Sequence, residues 1–351
     1  MRQFALFLLV SLLAIATTTL KAQDKKNYEI TTVAFYNLEN LFDTIIDPDP
    51  NKILQDDFTP KGKNMWNTDR YKTKLENMSK VIANIGAERT HTAPMIVGIS
   101  EVENKAVITD LINTDNLKKY NYGIVHYESP DRRGIDIALI YRKDFVKIKS
   151  SASRRLYFPE VDDFRTRDQL VVEADLQGES IYVIVNHWPS RRGGEKRSSP
   201  RREAAAKLAR SIADSVTAIN ANAKIIIMGD LNDDPTNTSV KKYINTSADI
   251  NNVKDGQFYN PMENKYKKGN GTGAYNDVWS LFDQLMLSKP FLNPASDTWT
   301  FSTAKIYKKP ELIQTYGKYR GYPKRTFAGG SWLGGYSDHF PVYLYLVRET
   351  K

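Results

Sequence analysis

Apolar segments of strand length recur along the chain between residues 29 and 347, separated by turn-forming residues. Val, Ile and Tyr are frequent in them, and several are apolar throughout instead of alternating, which is typical of strands buried on both faces. Nine such segments are more than one sheet usually holds, so the pattern predicts more than one sheet. In chain order they are EITTVAFYNL, PMIVGISEV, YGIVHYE, IDIALIYR, QLVVEADL, SIYVIVNHW, AKIIIMGDLN, LFDQLMLS and FPVYLYLV.

Two longer segments have apolar residues at helical spacing. The first, NTDRYKTKLENMSKVIANIGAE, offers Thr68 or Asp69 as a helix cap and ends at Gly86. The second, SPRREAAAKLARSIADSVTAINANAK, has Pro200 near its start and one apolar face. It joins VIVNHW to IIIMGD, which predicts a strand, a helix and a second strand in succession.

The rest of the chain is less regular. Shorter helices are expected after Glu103 and after Pro235. Residues 251–276 are rich in Asn, Gly and Lys, which predicts a long surface loop, and residues 303–335 form a second irregular stretch with several tyrosines. There is no internal repeat and no low-complexity linker, so we expect one domain over residues 28–348, acting as a monomer.

The N-terminus has the composition of a secretory signal. One basic residue precedes about a dozen apolar residues, and small and polar residues follow around Lys21 and Ala22. We expect residues 1–22 to be removed and the protein to be exported to the periplasm or the extracellular space. An N-terminal membrane anchor is the alternative, although the apolar stretch is short for a bilayer span. After cleavage we expect no stable membrane insertion.

Composition limits the chemistry in two ways. The chain has no cysteine, which excludes disulfides, thiolate ligands and lipid attachment through cysteine. The formal charge is +9, and it falls by two to +7 without Arg2 and Lys21. This excess favours anionic partners such as nucleic acid or phosphate esters, but many basic exported proteins bind neither.

Polar residues suited to catalysis stand at the ends of the predicted strands. The carboxyl ends of buried strands are where α/β proteins gather their sites, because the sheet holds each residue while the loops leave space for a ligand. Each of these residues alone could be an ordinary cap or turn residue, but the four strand ends together favour a site. They are Asn37; Glu101 and Glu103; Asn186 and His187; and Asp230, Asn232 and Asp233.

Carboxylates and amides without thiolates form a hard-oxygen set, which suits Mg²⁺ or Mn²⁺ better than Zn²⁺. Mg²⁺ commonly takes one or two protein carboxylates, and Glu101 and Asp338 would suffice. Of the four histidines, His187 and His339 stand beside such groups and could hold or move protons near neutral pH. His91 and His126 lack this context and are expected to be ordinary surface or packing residues.

These segments resemble the endonuclease/exonuclease/phosphatase superfamily of metal-dependent phosphoesterases, which includes pancreatic-type DNase, repair exonucleases, bacterial sphingomyelinases and inositol polyphosphate 5-phosphatases. The similar pieces, in the family's order, are FYNLEN, GISEVEN, NHWPS, MGDLNDDP, LFDQLMLS and YSDHFPV. The pair GDLND and SDHFPV is the most specific of them. The resemblance implies a four-layered α/β sandwich with two mixed sheets face to face, helices outside and the site at one edge.

The resemblance also implies metal ligands and a histidine pair. Glu101 is the main metal carboxylate, Asn37 supports the metal or an adjacent water, and Asp338 is a further ligand or lies just behind the ligands. His339 contacts the scissile phosphate or activates water, and Asp283 orients it. Whether one or two metal ions bind is left open.

Three further roles follow from the same resemblance. Asp230 and Asn232 align or deprotonate the attacking water, and His187 is placed near the leaving oxygen as a general acid. The resemblance does not decide whether Asp230 or His339 is the base.

Arginines near these motifs bear on the substrate. Arg133, Arg191 and Arg192 are predicted to bind it, with Arg132, Lys196 and Arg197 close by in sequence, because arginine forks match phosphate oxygens. We therefore expect a nucleic-acid endonuclease first, on DNA or RNA. A phosphatase or phosphodiesterase for small or lipid-headgroup phosphates, similar to a sphingomyelinase or an inositol or sugar phosphatase, is the alternative. A catalytically inactive binding module would require lost motif residues, and none of those named is lost.

Overall fold

The structure is a computed structural model that describes residues 27–293 and 297–350. The predicted signal segment lies outside the described residues. The strands are β1 Asn27–Leu41, β2 Ile96–Val102, β3 Tyr122–His126, β4 Asp136–Arg142, β5 Val146–Arg154, β6 Gln169–Leu176, β7 Glu179–His187, β8 Lys224–Asp230, β9 Thr246–Ser247, β10 Phe258–Tyr259, β11 Gly273–Tyr275, β12 Val278–Ser280, β13 Asp283–Ser288, β14 Thr300–Ile306, β15 Phe327–Ala328, β16 Ser331–Trp332 and β17 Val342–Thr350.

Five α-helices accompany the strands: α1 Thr68–Asn84, α2 Ala87–Thr90, α3 Lys105–Ile112, α4 Glu195–Ile219 and α5 Pro261–Lys267. A π-helical segment, Ser239–Asn245, follows the loop after β8. No helix among the described residues is both long and apolar enough to cross a bilayer.

The strands form two large mixed sheets. The first has the order β14-β17-β1-β2-β4-β3, with β1 and β2 parallel and the other pairs antiparallel. The second has the order β5-β6-β7-β8-β13-β10-β9, with the β7–β8 and β9–β10 pairs parallel. Two small hairpins, β11–β12 and β15–β16, stand apart from them.

Three apolar cores separate four layers. One packs α1 and α3 on the outer face of the first sheet, through residues such as Met78 and Leu111. The second lies between the sheets, where Phe35 of β1 and Val185 of β7 are both buried. The third packs α4 on the second sheet, through Ala209. The four-layered sandwich expected from the sequence is therefore confirmed.

All nine apolar segments are strands: β1, β2, β3, β4, β6, β7, β8, β13 and β17. The apolar pattern missed β5 and β14, which are edge strands with many half-exposed polar residues. An edge strand packs on one side only, so its sequence shows little of the apolar pattern.

Two local predictions are wrong. Asn67, and not Thr68 or Asp69, caps α1, because its side chain accepts the backbone N–H of Arg70. Residues 251–276 are not one long loop, since they contain β10, α5 and the first strand of a hairpin. The Asn260 side chain caps α5, Pro261 occupies its first turn, and the polar composition concealed both signals.

The parallel strands β7 and β8 approach closely just before the expected site. Gly229 pairs with Asn186 and has φ +155°, and a β-carbon there would lie 2.1 Å from the Asn186 carbonyl oxygen. Gly178, in the β6–β7 turn, has φ +93° but open space around it. Backbone conformation disfavours a side chain at both glycines, and packing does so only at Gly229.

We expect Gly229→Ala to lower the free energy of unfolding by about 2–4 kcal/mol, since it adds a steric clash to backbone strain. Gly178→Ala serves as the control and should cost about 1 kcal/mol, from strain alone. Urea denaturation followed by circular dichroism measures both. Equal losses in the two variants would contradict the close approach of β7 and β8.

Candidate active site

The strand ends predicted from the sequence meet at one edge of the sandwich. Asn37 and Glu101 come from the parallel pair β1 and β2 of the first sheet. His187, Asp230 and Asp283 come from β7, β8 and β13 of the second, where Asp230 is in register with both of the others. Asp338 and His339 precede β17, which pairs with β1. The topology therefore brings together side chains that are up to three hundred residues apart.

Glu101 is aimed into the site by a β-bulge. Its φ is +60°, and the register of β2 shifts between Ser100 and Val102 against β4. A bulge inserts one residue and redirects its side chain, and a non-glycine residue with positive φ costs roughly 1–3 kcal/mol that the surrounding structure must offset. The backbone N–H of Asn40 donates to Glu101 Oε2 at 3.1 Å and holds the carboxylate in place.

Asp230 is buried at the centre of the site. Asn37 Nδ2 donates to its Oδ2 at 3.0 Å, and the backbone N–H of Asn232 donates to its Oδ1 at 3.0 Å. The Nε2 atoms of His187 and His339 lie 3.6 and 3.8 Å from Oδ2. One carboxylate thus contacts residues of both sheets.

His339 is oriented by Asp283. The ring Nδ1 lies 2.6 Å from Asp283 Oδ2, while Nε2 faces Asp230 and lies 3.8 Å from Asp338 Oδ1. Burial opposes protonation, but the carboxylates of Asp283, Asp230 and Asp338 raise the pKa of His339 well above its usual value. Because Nδ1 is held by Asp283, Nε2 is the ring nitrogen that faces Asp230 and Asp338.

His187 has the opposite electrostatics. Burial, together with Arg167 and Arg133, lowers the pKa of His187 well below its usual value. Its Nε2 lies 3.7 Å from Glu101 Oε1, and its buried Nδ1 has no hydrogen-bond partner among the described residues. A lowered pKa disfavours the protonated form of this ring, and the general-acid role that the resemblance implies stays a prediction.

Asp338 belongs to a charge network that the sequence did not reveal. Arg325 donates from Nη2 to Asp338 Oδ2 at 2.9 Å and from Nε to Glu39 Oε1 at 3.0 Å. The buried Lys74 lies 3.9 Å from Glu39 and donates to the Tyr336 carbonyl oxygen. In the sequence Lys74 is one polar residue of an amphipathic helix, and Arg325 lies in an irregular stretch. Neither pattern predicts that these residues lie at the site.

The site has the donor set of a divalent-cation centre. Burial raises the pKa of Glu101, an effect that Arg133 opposes and Asp338 reinforces, and burial likewise raises the pKa of Asp230. Buried carboxylates this close repel one another, and a cation would relieve the repulsion. Glu101, Asp338 and the Asn37 amide offer hard oxygens, so the residues present fit Mg²⁺ or Mn²⁺. Asp230, Asp283 and His339 form a second group whose ligand atoms lie within 4.8 Å of one another.

Several predicted residues have other contacts. Arg133 Nη1 lies 4.0 Å from Glu101 Oε1, at the site itself. Arg191 lines a cavity that also contacts His339. Its guanidinium binds the Asn232 carbonyl oxygen and nearby acidic side chains. Arg192 is exposed. Glu103 lies outside the cluster and accepts the backbone N–H of Asp43.

Arg167 holds the backbone at the end of β7, next to the site. Buried Arg167 donates to the carbonyl oxygens of His187 and Trp188 and pairs with Asp131 at 2.9 Å. No motif pointed to Arg167, because it lies before β6 in a stretch without apolar pattern.

His126 was expected to be an ordinary surface or packing residue. Its side chain is buried, with Nε2 3.0 Å from an oxygen of Asp136.

A cavity of about 640 Å³ opens beside His339 and Asp338. Asn232, Arg191 and Arg325 line it, with the β11–β12 hairpin as its far wall. A phosphate group bound here would face the carboxylates and His339 on one side and leave room for an ester group on the other.

The fold and the site define a hydrolase of phosphoester bonds that uses a divalent cation. The sequence profile of the Endonuclease/Exonuclease/phosphatase family matches residues 32–348, and the chain belongs to this family. A search of the curated proteins finds no match to the sequence.

Solved structures share the fold at low sequence identity. An endonuclease/exonuclease/phosphatase family protein from Bacteroides thetaiotaomicron is 18% identical, with TM-score 0.54 over 93% of this chain and 100% of that one. The mannosyl-6-phosphatase of the same organism is 18% identical, with TM-score 0.53 over 90% and 99%. Humanized D. rerio TDP2 is 16% identical, with TM-score 0.53 over 90% and 98%. At these identities the likeness shows the fold.

The site predicts which single changes abolish turnover. His339→Ala and Glu101→Ala should each lower kcat by at least about 10²-fold, because one removes the cavity-facing donor and the other a carboxylate that would hold the cation. Hydrolysis of bis-p-nitrophenyl phosphate with Mg²⁺ measures the rate, and circular dichroism checks that each variant folds.

His91→Ala is the matched control, since His91 caps the short helix α2 and none of its contacts involves the site. Its rate should equal that of the wild type. Wild-type turnover in either site variant would overturn the assignment.

Proposed function

We propose that the protein is an exported, Mg²⁺-dependent nuclease that hydrolyses phosphodiester bonds of DNA or RNA. The observation that supports this most is an arginine surface beside the site. Arg192, Arg197 and Arg201 line a cavity of about 230 Å³. None of the three pairs with a carboxylate among the described residues, although the guanidinium of Arg201 lies 5.6 Å from the Phe164 ring centroid. Arg191, next in sequence to Arg192, lines the cavity that contains His339.

Unpaired arginines suit a substrate with several phosphates. A single phosphate at the site needs no cationic surface beyond Arg133 and Arg325, whereas a polynucleotide presents further phosphates along its backbone. The fold does not separate the alternatives, because the neighbours include a mannosyl-6-phosphatase and a TDP2 complex with a single-strand DNA product. The arginine surface favours the polyanion.

Each side chain then has a role in hydrolysis. Asn37, Glu101 and Asp338 would hold the cation, which supplies Lewis-acid stabilisation of the charge that develops on phosphate. The oxygen of water bonds to phosphorus as the bond to the leaving oxygen breaks. Asp230 accepts the proton of the attacking water.

Hydrogen bonds complete the step. His339 donates from Nε2 to a non-bridging oxygen, and Asp283 keeps that ring oriented. The leaving oxygen takes its proton from solvent water, with His187 as a hydrogen-bonding neighbour. Asn232, whose backbone holds Asp230, keeps the base in position.

Purified protein should cleave plasmid DNA or RNA with Mg²⁺, and EDTA should stop the reaction. We would test plasmid, RNA, sphingomyelin, inositol phosphates and mannose 6-phosphate side by side, each with and without Mg²⁺ or Mn²⁺. Activity on the small or lipid substrates with inert nucleic acid would reject the proposal in favour of the phosphatase alternative.

The arginine surface gives a sharper test. Arg192→Ala with Arg197→Ala should raise KM for nucleic acid about 10-fold at moderate salt and flatten its salt dependence, since two phosphate contacts are lost. Lys119→Ala is the control, because this exposed lysine precedes β3 at the opposite end of the sheet. An equal effect of Lys119→Ala would show a general charge effect only.

Export is proposed from residues 1–22 alone. Expression of the full chain in a Gram-negative host, followed by fractionation, should place the protein in the periplasm or medium. Its mass should correspond to a chain that starts near Gln23, since the small residues before it suit cleavage. Uncleaved protein in the membrane fraction would support the anchor alternative instead.

A further inference from the structure

We propose that a tyrosine-lined cavity beside the site binds an unpaired nucleobase next to the scissile phosphate, so that the enzyme prefers single strands. This inference rests on the proposed nuclease function and specifies its substrate. Tyr275, Tyr319 and Tyr322 line the cavity, and we call it the ring cavity.

The ring cavity is continuous with the site. It measures about 300 Å³ and shares lining residues with the larger cavity at His339, among them Tyr275, Arg325 and Asp338. A group esterified to a phosphate at His339 would therefore extend past Asp338 toward Tyr319 and Tyr322.

One wall of the ring cavity is held rigidly. The β11–β12 hairpin turns at Asn276 and Asp277, whose φ values of 48° and 62° are those of a type I′ turn. The Tyr322 hydroxyl lies 2.6 Å from Asp277 Oδ1 and accepts the Asp277 backbone N–H. The hairpin and the opposite wall are thus tied together before any substrate binds.

Aromatic rings pack in a column that runs from Tyr319 to Phe340. Tyr319 lies 5.8 Å from Tyr322, and Tyr322 lies 6.0 Å from Trp279, measured between ring centroids. Trp279 stacks on Phe340, the residue after His339, with an interplanar angle of 9°. The position of the tyrosines is therefore coupled through packed rings to the histidine of the site.

The chemistry of the lining favours a flat ring. The Tyr275 side chain is 79% exposed at the mouth, which leaves its face free to stack. Lys318, whose ammonium lies 5.8 Å from the Tyr319 ring centroid, is exposed and suits a neighbouring phosphate. The Asp277 carboxylate accepts from Tyr322, and every nucleobase has a π-face that stacks on tyrosine.

Strand preference follows from this geometry. A base in a duplex is stacked and paired, and it must be unpaired before it can enter a cavity between tyrosines. A single strand does not need that step. We expect kcat/KM on a single-stranded oligonucleotide to exceed that on the matching duplex at least about 10-fold.

The test compares one 12-nucleotide DNA strand with the same strand containing a single abasic residue at its centre, with Mg²⁺ present. The wild type should cut the phosphodiester beside the abasic residue about 10-fold more slowly than the same bond in the intact strand. Tyr275→Ala and Tyr319→Ala should each slow the intact strand by a similar factor and leave the rate at the abasic position unchanged.

Two matched variants control for indirect effects. Tyr275→Phe should restore the rate that Tyr275→Ala loses on the intact strand, because the ring remains. Tyr316→Ala, which removes an exposed tyrosine outside the ring cavity, should also be unchanged. If the intact and abasic bonds are cut equally, or if the alanine variants slow both equally, the base-binding role is overturned while nuclease function stands. If neither this DNA strand nor an RNA strand of the same sequence is cut, the proposed function itself fails.

Discussion

The site depends on two sheets packing closely enough for one buried carboxylate to contact residues of both. Asp230 accepts from Asn37 of the first sheet, while its neighbours His187 and Asp283 belong to the second. A glycine makes this approach possible, because a β-carbon at Gly98 would lie 2.5 Å from the Met228 sulfur across the sheet interface. The packing between the sheets thus sets the distances on which the chemistry depends.

Charge is the second constraint. Burial raises the pKa of Glu39 to about 7 and lowers the pKa of Lys74 to about 8, and Arg325 joins this pair to Asp338. Lys74 and Arg325 therefore offset the charges of Glu39 and Asp338 on one side of the acidic cluster. On the other side, Arg133 Nη1 lies 4.0 Å from Glu101 Oε1. A divalent cation would balance the remaining negative charge near Glu101. The ring cavity and the arginine surface extend outward from this part of the site.

Much of the fold could be predicted because buried strands have a recognisable apolar sequence pattern. Strands covered on both faces are apolar throughout, as several of the nine apolar segments are, and each of the nine is a strand. The apolar pattern did not predict the edge strands β5 and β14, since one side of each has no partner strand. The sequence around α5 predicts a loop because Asn and Pro suit a turn as well as a helix start.

The sequence by itself determined the chemical groups and the strand ends that hold them, since the order of motifs from FYNLEN to YSDHFPV survives without any coordinates. Only the tertiary structure decided which groups touch. The structure pairs His339 with Asp283, places Lys74 behind Glu39 and ties Arg191 to the loop after β8. The partners in these contacts are distant along the chain or unremarkable in composition. Such contacts depend on how sheets, helices and hairpins pack, and local sequence patterns report burial and turns but not the distance between two separate elements.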